Sequence, residues 1–368
     1  MIKVAYLISR AMKSGPINQS FNILKGLKKL DDIDVVLVTF DKEIEGDSWL
    51  DRFLSTGIKV HQFNLTSRNV FKAALKLRQY VSKEKIDIVH GCGTRVDLIM
   101  YLSGVRAKKI ITHRSYPDMI AEGEPSLLRK LIVPLYLHVM KCMDAVVACS
   151  YSMQKAFKTQ CDMKLDVIQN AVDTERFTPL DKNEKKKLRR KLGINDIPTF
   201  LVLGTLRPRK NNSIIIDAIN QYAGFNGQVL FVGSGPEEAF LREKSKNNDR
   251  IIFYGSTLNP LDYLQISDYL ISASLSEGLP NSVLEAISCG LIPILSNIEP
   301  HLEIVCNTSI GFTFNPRNSQ ELLSRLKKVT MYNQDELSRY ARVLAINKFG
   351  IDSMTLKYES EYKKLLNI

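Results

Sequence analysis

The stretch DYLISASLSEGLPNSVLEAISCGLIPILS, residues 268–296, reads as strand, polar loop, short helix and strand. Its outer pieces, DYLIS and LIPILS, are continuous apolar runs of strand length, the pattern of strands buried on both faces of a parallel sheet. Gly278 and Pro280 shape the loop, Asn281 or Ser282 can cap the helix, and Gly290 stands where the helix should stop. The loop falls at the carboxyl end of a strand, which is where ligands collect in open parallel sheets.

The same alternation extends outward. TFLVLGTL (199–206), QVLFVGSG (228–235) and RIIFYGS (250–256) precede this unit and IGFTF (310–314) follows it, each leading into a helical segment. A separate series fills the first half: IKVAYLI (2–8), DVVLVTF (34–40), IKVHQF (58–63), IDIVHG (86–91), KKIITH (108–113), DAVVACS (144–150) and LDVIQN (165–170). Two doubly wound α/β domains are therefore expected, joined near residues 170–192, with three helical segments after Phe314. A length of 368 residues suits two domains. Two such sheets face to face would make a deep cleft.

Composition narrows the class. Apolar residues at 45% and charged residues at 24% exclude disordered and fibrous chains. The net charge of +12 favours anionic partners, and +8 of it lies on residues 1–178. The six cysteines are never closer than seven positions, so a reducing compartment is the simpler expectation. MIKVAYLISR reads as a buried strand rather than a signal sequence, and LIVPLYLHVM (131–140) is half the roughly 20 residues of a membrane span and contains Pro134. A cytoplasmic protein is expected.

Several chemistries lose ground. There is no G-x-x-x-x-G-K-[ST] loop, no complete G-x-G-x-x-G, no G-x-S-x-G elbow and no zinc-type spacing of Cys or His. The run KKKLRRK at 185–191 reads as a solvated helix face, not a nucleic-acid site. The pair Asp32 and Asp34 precedes a strand at its amino end and reads as turn residues, so no metal site is expected there. What remains is the 268–296 loop. A helix N-terminus presents free N–H groups and partial positive charge, which suits a diphosphate, while Glu277 and Glu285 can accept short hydrogen bonds from sugar hydroxyls.

EGLPNSVLE, with Glu277 and Glu285, resembles the Glu-x7-Glu motif of the retaining family-4 glycosyltransferases of the GT-B fold, and other segments follow that family's order. GTLRPRKN resembles its donor-phosphate loop, VGSGPE its next Gly-rich turn, IIFYGS its nucleobase-contacting strand end and NAVDTERFTP (170–179) its interdomain hinge. The resemblance implies two Rossmann-like domains facing across a cleft. An acceptor-binding domain would span 1–173 with a returning helix at 351–368, and a donor-binding domain 174–350. It also implies that Glu277 contacts the transferred sugar, that Glu285 contacts the ribose, and that the backbone from Gly278 through Leu279, Pro280 and Asn281 to Ser282 meets the diphosphate together with Lys210. Gly204, Gly255 and Ser256 complete the donor side. The family most often has Arg after the loop glycine, where this chain has Thr205; Arg207, nearer the strand end than Arg209, is the expected substitute.

In the first half, Ser14 and Gly15 stand where the family usually has two glycines. His113 is implied to lie over the reacting sugar, and Gly93 and Thr94 line the acceptor side. EPSLLRKLIVPLYLHVMKCMDA (124–145) is either a core helix or a helix against an anionic membrane surface. The implied activity is transfer of a sugar from a nucleotide donor, a UDP-sugar, to a saccharide or lipid-linked saccharide, with retention and no cofactor. An epimerase of the same architecture and a silent nucleotide-sugar-binding protein are the alternatives.

Overall fold

The computed structural model describes residues 1–66, 69–117, 120, 126–257, 259–305 and 310–368. These form two compact units, one of residues 1–171 with 351–368 and the other of residues 172–350. The first unit runs β1 (Ile2–Ile8), α1 (Gly15–Leu27), β2 (Ile33–Asp41), α2 (Leu50–Ser55), β3 (Lys59–Leu65), α3 (Val70–Glu84), β4 (Ile88–Gly91), α4 (Thr94–Ser103), β5 (Lys108–His113), α5 (Ser126–Lys141), β6 (Ala145–Ala148), α6 (Tyr151–Cys161) and β7 (Asp166–Val167). The second runs α7 (Lys182–Lys191), β8 (Thr199–Leu203), α8 (Ser213–Asn220), β9 (Gln228–Val232), α9 (Glu238–Ser245), β10 (Ile251–Gly255), α10 (Pro260–Ile266), β11 (Tyr269–Ser272), α11 (Asn281–Ser288), β12 (Ile292–Ser296), α12 (Glu299–Val305), β13 (Phe312–Phe314), α13 (Ser319–Val329) and α14 (Gln334–Phe349). The last helix, α15 (Ile351–Leu366), rejoins the first unit.

Both sheets are parallel, in the orders β3-β2-β1-β4-β5-β6-β7 and β10-β9-β8-β11-β12-β13. In each, the order reverses beside its first strand, β1 or β8, so the loops after these strands border the switch point where doubly wound sheets take ligands. The apolar runs are buried on both faces: Val4 and Tyr6 alternate with buried Ala5 and Leu7 in β1, and Phe200 and Val202 with buried Leu201 in β8. Every expected strand is present, although LDVIQN contributes only two residues to β7.

Helix α15 completes the first core rather than decorating it. Tyr362 meets His90 Nδ1 at 2.7 Å, His90 Nε2 meets the Thr112 hydroxyl at 2.8 Å, and Tyr358 meets the same hydroxyl at 2.9 Å. Burial pushes the His90 pKa down to about 3, so the ring is neutral. The approach of α15 to α1 is close enough to require glycine: a Cβ on Gly26 would sit 1.8 Å from Thr355 Oγ1. Where the chain enters and leaves the second unit, Val172 and Gly350 form a parallel bridge.

Two sequence expectations are corrected here. KKKLRRK is not simply a solvated face: Lys185 and Arg189, one turn apart on α7, reach Asp268 at 2.6 and 2.8 Å, and Arg189 also donates to the Ile266 carbonyl. Asp32 is a turn residue paired with Lys363, but Asp34 lies within β2 and pairs with Lys59. Of the 124–145 segment, residues 124 and 125 and the side chains of 126, 127 and 129 lie outside the described residues. The remainder of α5 is two-sided, with Tyr136, Val139 and Met140 buried and Leu128, Leu131 and Leu135 exposed at one-turn spacing. Cys92, Cys142, Cys161 and Cys289 are free thiols, and Cys306 lies outside the described residues. No helix among the described residues is long and apolar enough to cross a membrane.

Candidate active site

The loops after β8, β9 and β10 are stitched side by side. Leu206 N–H donates to the Ser234 carbonyl at 2.9 Å and Gly233 N–H to the Gly255 carbonyl at 2.7 Å. Gly204 has φ +138° and Gly233 φ +141°, and a Cβ on Gly233 would lie 1.9 Å from the Gly204 carbonyl oxygen. Only glycines permit this approach. After Gly204, buried Leu206 anchors the chain and a single 3-10 turn, Pro208–Lys210, ends in left-handed Asn211.

That turn delivers Lys210 to Glu277. Lys210 Nζ lies 2.5 Å from Glu277 Oε1, the Ser274 hydroxyl donates to the same oxygen at 2.7 Å, and Arg209 approaches Oε2 at 3.4 Å while donating to the Ser276 carbonyl at 2.9 Å. Glu277 is buried. Desolvation works to raise its pKa, but Lys210, Ser274 and Arg209 together hold it below the ordinary value, so it is ionised at neutral pH. Of the two arginines in this loop, Arg207 is extended and exposed, and Arg209 is the one beside the carboxylate.

Helix α11 follows at once, but neither Asn281 nor Ser282 is its cap. Pro280 occupies the N-cap with no side-chain bond, so a proline ring and buried Leu279 fix the helix entry. Asn281, Ser282 and Glu285 lie on the partly exposed side of α11 while Val283, Leu284, Ala286 and Ile287 are buried, and Gly290 follows at φ +78°. Ser256 is exposed next to Gly255, whose φ is +71°. Beneath Glu277 lies a residue that sequence reasoning missed. His301, at the start of α12 and wholly buried, holds the Ser296 carbonyl at 3.0 Å with Nδ1 and meets Ser272 at 3.4 Å. A polar ring fixed among apolar neighbours one turn into a helix carried no local signal.

The first unit has its own cluster at the carboxyl ends of its strands. Ser14 is the N-cap of α1 and Gly15 its first residue, and Gly93, at φ +121°, is the N-cap of α4 with Thr94 first in the helix. His113, the last residue of β5, is buried against Phe157 and Tyr136, and burial brings its pKa down to about 4. The Tyr136 hydroxyl donates to Asp97 Oδ2 at 2.6 Å and lies 3.3 Å from His113 Nδ1. Burial raises the Asp97 carboxyl to about 7. Asp97 and Tyr136 were not anticipated, though a tyrosine inside an apolar helix usually needs a hydroxyl partner, and that was the available signal.

The protein-family comparison places these loops in a known setting. The family model described as "Glycosyl transferases group 1" matches residues 184–342, and "Glycosyltransferase Family 4" matches residues 18–176. The chain belongs to the family-4 glycosyltransferases. It is an enzyme of that family and has its GT-B fold. The O-antigen biosynthesis glycosyltransferase WclY of Escherichia coli is 24% identical across 99% of both chains. The E. coli UDP-Gal:alpha-D-GlcNAc-diphosphoundecaprenol alpha-1,3-galactosyltransferase is 25% identical across 81% of each. Among solved structures, Anabaena HepE in complex with UDP and glucose superimposes with a TM-score of 0.80 at 17% identity, over 99% of this chain and 100% of that one.

Proposed function

We propose that this family-4 glycosyltransferase moves a hexose from a UDP-sugar to a hydroxyl of a lipid-linked saccharide, with retention of anomeric configuration, in assembly of a cell-surface polysaccharide. The observation that carries the reading is the ionised, buried Glu277 held by Lys210 and Arg209 beside the N-terminus of α11. Breaking a sugar–phosphate bond throws negative charge onto the leaving diphosphate, and fixed cations with a helix N-terminus stabilise that charge where it develops. Lys210 and Arg209 meet the diphosphate, Glu277 the sugar hydroxyls and Glu285 the ribose. These cations supply the positive charge, so no divalent metal is required.

The relatives named above support a polysaccharide setting and a uridine nucleotide. The lipid-linked acceptor fits the surface of the first unit, where Phe71 and Leu75 on α3 are 66% and 63% exposed and Leu131 and Leu135 on α5 are 68% and 57% exposed, with Lys72, Lys76 and Lys130 beside them. Apolar side chains flanked by lysines suit an anionic membrane face. The direct test incubates the protein with UDP-sugars and undecaprenyl-diphosphate saccharides and reads the product by NMR. An α-linked product from an α-linked donor is expected. An inverted linkage refutes retention, and epimerised donor without acceptor refutes transfer.

A further inference from the structure

The two oxygens of Glu277 are unequally occupied. Oε1 receives Lys210 Nζ at 2.5 Å and the Ser274 hydroxyl at 2.7 Å. Among the described residues Oε2 meets Arg209 alone, at 3.4 Å, and that guanidinium makes its shorter bond, 2.9 Å, to the Ser276 carbonyl. A carboxylate offers about four acceptor sites, so Oε1 is consumed within the chain while Oε2 keeps capacity for a donor from outside. The last torsion of a glutamate is broad, and its carboxylate plane is therefore set by hydrogen bonds rather than by rotamer. Lys210 gives that plane one direction and Ser274 a second. Behind Ser274 stands His301, buried in α12 and touching it by two routes. His301 Nδ1 lies 3.0 Å from the Ser296 carbonyl, which only accepts, so Nδ1 carries the proton. The same nitrogen lies 3.0 Å from the Ser296 hydroxyl, which donates to the Ser274 carbonyl at 2.6 Å. On the other edge of the ring the Ser272 hydroxyl stands 3.4 Å from Nε2 and 3.3 Å from the Ser274 hydroxyl.

We propose that Ser274 and His301 are positioning residues that fix the plane of the Glu277 carboxylate, so that Oε1 stays with Lys210 and Oε2 accepts a hydrogen bond from a hydroxyl of the donor's sugar. The proposal rests on the reading of Glu277 as a sugar contact and adds what aims it. Neither residue touches the sugar. Ser274 follows β11, Ser296 ends β12 and His301 lies one short helix further on, so the ring ties the carboxyl ends of two neighbouring strands to the loop that carries Glu277. Burial brings the His301 pKa down to about 4, and the ring is therefore neutral at the pH of the reaction. A neutral ring in this place orients Ser274 without adding a charge beside Lys210 and Glu277.

The test is calorimetry of donor binding to the full chain without acceptor, with circular dichroism to show that each variant is folded. The probes are UDP, UDP-glucose, UDP-galactose, their 2-acetamido forms, and the monodeoxy analogues of whichever UDP-sugar binds most tightly. In wild type that UDP-sugar should bind more tightly than UDP, and loss of one particular hydroxyl should weaken it about tenfold, the worth of a hydrogen bond to a charged acceptor. In Ser274→Ala the same loss should cost no more than about threefold, with the Kd of UDP within about twofold of wild type, because the hydroxyl has lost its aligned acceptor. A variant that merely loosened the fold would not single out one hydroxyl. His301→Ala should behave as Ser274→Ala does, and His301→Asn, whose side-chain amide can donate to the Ser296 carbonyl in place of Nδ1, should restore the discrimination. Should His301→Ala fail to fold, Ser296→Ala breaks the same route with a smaller change and carries the same expectation. Full discrimination in a folded Ser274→Ala overturns the positioning role and leaves Glu277 as a sugar contact. Full discrimination in the folded His301→Ala, or in Ser296→Ala in its place, overturns the part given to His301. A wild type that binds every UDP-sugar no more tightly than UDP, or penalises no deoxy analogue, refutes the sugar contact itself and the proposal with it.

Discussion

Replacing Lys210 by methionine should destabilise the second unit by about 3 kcal/mol at pH 7.5, and the deficit should shrink as the pH falls. Lys210 sits 2.5 Å from a Glu277 carboxylate whose side chain is 8% exposed. Removing one member of a buried ion pair costs about 3 to 5 kcal/mol because the other charge remains in low dielectric. The lower end applies here, since Lys210 is 19% exposed and Arg209 and Ser274 still face Glu277. The sign with pH follows from which state holds the proton. In wild type the folded Glu277 has a lowered pKa, so its contribution is present above the ordinary value of 4.5 and is lost as pH falls below it. Without Lys210, desolvation dominates and the folded pKa rises above 4.5. Protonation on acidification then relieves the buried charge, returning about 1.4 kcal/mol per pH unit below the new value. Urea unfolding of both proteins at pH 4.5, 6 and 7.5 measures the difference directly. The double variant Lys210→Met with Glu277→Gln should recover most of the loss, because removing both charges leaves nothing uncompensated. A deficit that stays constant from pH 7.5 to 4.5, or a double variant no more stable than the single, would falsify the assignment of Glu277 as a charge held by Lys210.

Three further outcomes are expected. Glu285→Ala should weaken binding of free UDP about tenfold in calorimetry while Glu277→Gln leaves it within about threefold but lowers turnover at least about tenfold, reflecting a ribose contact and a sugar contact of about 1.5 to 2 kcal/mol each; equal losses would contradict the division. Flotation with vesicles containing anionic lipid should recover wild type at low salt, and Leu131→Ser with Leu135→Ser should abolish recovery without changing the fold, since the two side chains are exposed; recovery on neutral vesicles at high salt alone would rule out the basic contribution. Transfer should persist in EDTA, and Asp32→Ala with Asp34→Ala should leave turnover unchanged, because these carboxylates already pair with Lys363 and Lys59 at the amino ends of the strands.

The strands were legible because parallel strands covered on both faces need uninterrupted apolar runs, and IKVAYLI or QVLFV has few other uses. The Glu277 loop was legible because Gly, Pro and a capping position constrain a strand-to-helix turn locally. Arg209 was not. Leu206 is buried and Arg207 continues in extended conformation, so alternation sends Arg207 outward; which way the following turn rotates depends on Ser276 across the loop, a contact 67 residues away. Lys185 and Arg189 read as solvent-facing because their partner Asp268 is about eighty positions distant. The line from Asp97 through Tyr136 to His113 joins three elements whose order in space only the sheet decides.

The return of α15 reverses the order in which the two halves can be completed during synthesis. Residues 172–350 possess all their own strands and helices once Gly350 has left the ribosome, whereas the half made first still lacks Tyr358 and Tyr362. Until those two tyrosines emerge, His90 and Thr112 are polar groups in an apolar core without these partners, and the groove along Gly26 is uncovered. The earliest segment of the chain is therefore the last to reach its final state, an inversion of the usual order in which domains finish as they emerge. A stop codon between Ile351 and Tyr362 would damage the unit built from residues 1–171 rather than the one that directly precedes it in the chain.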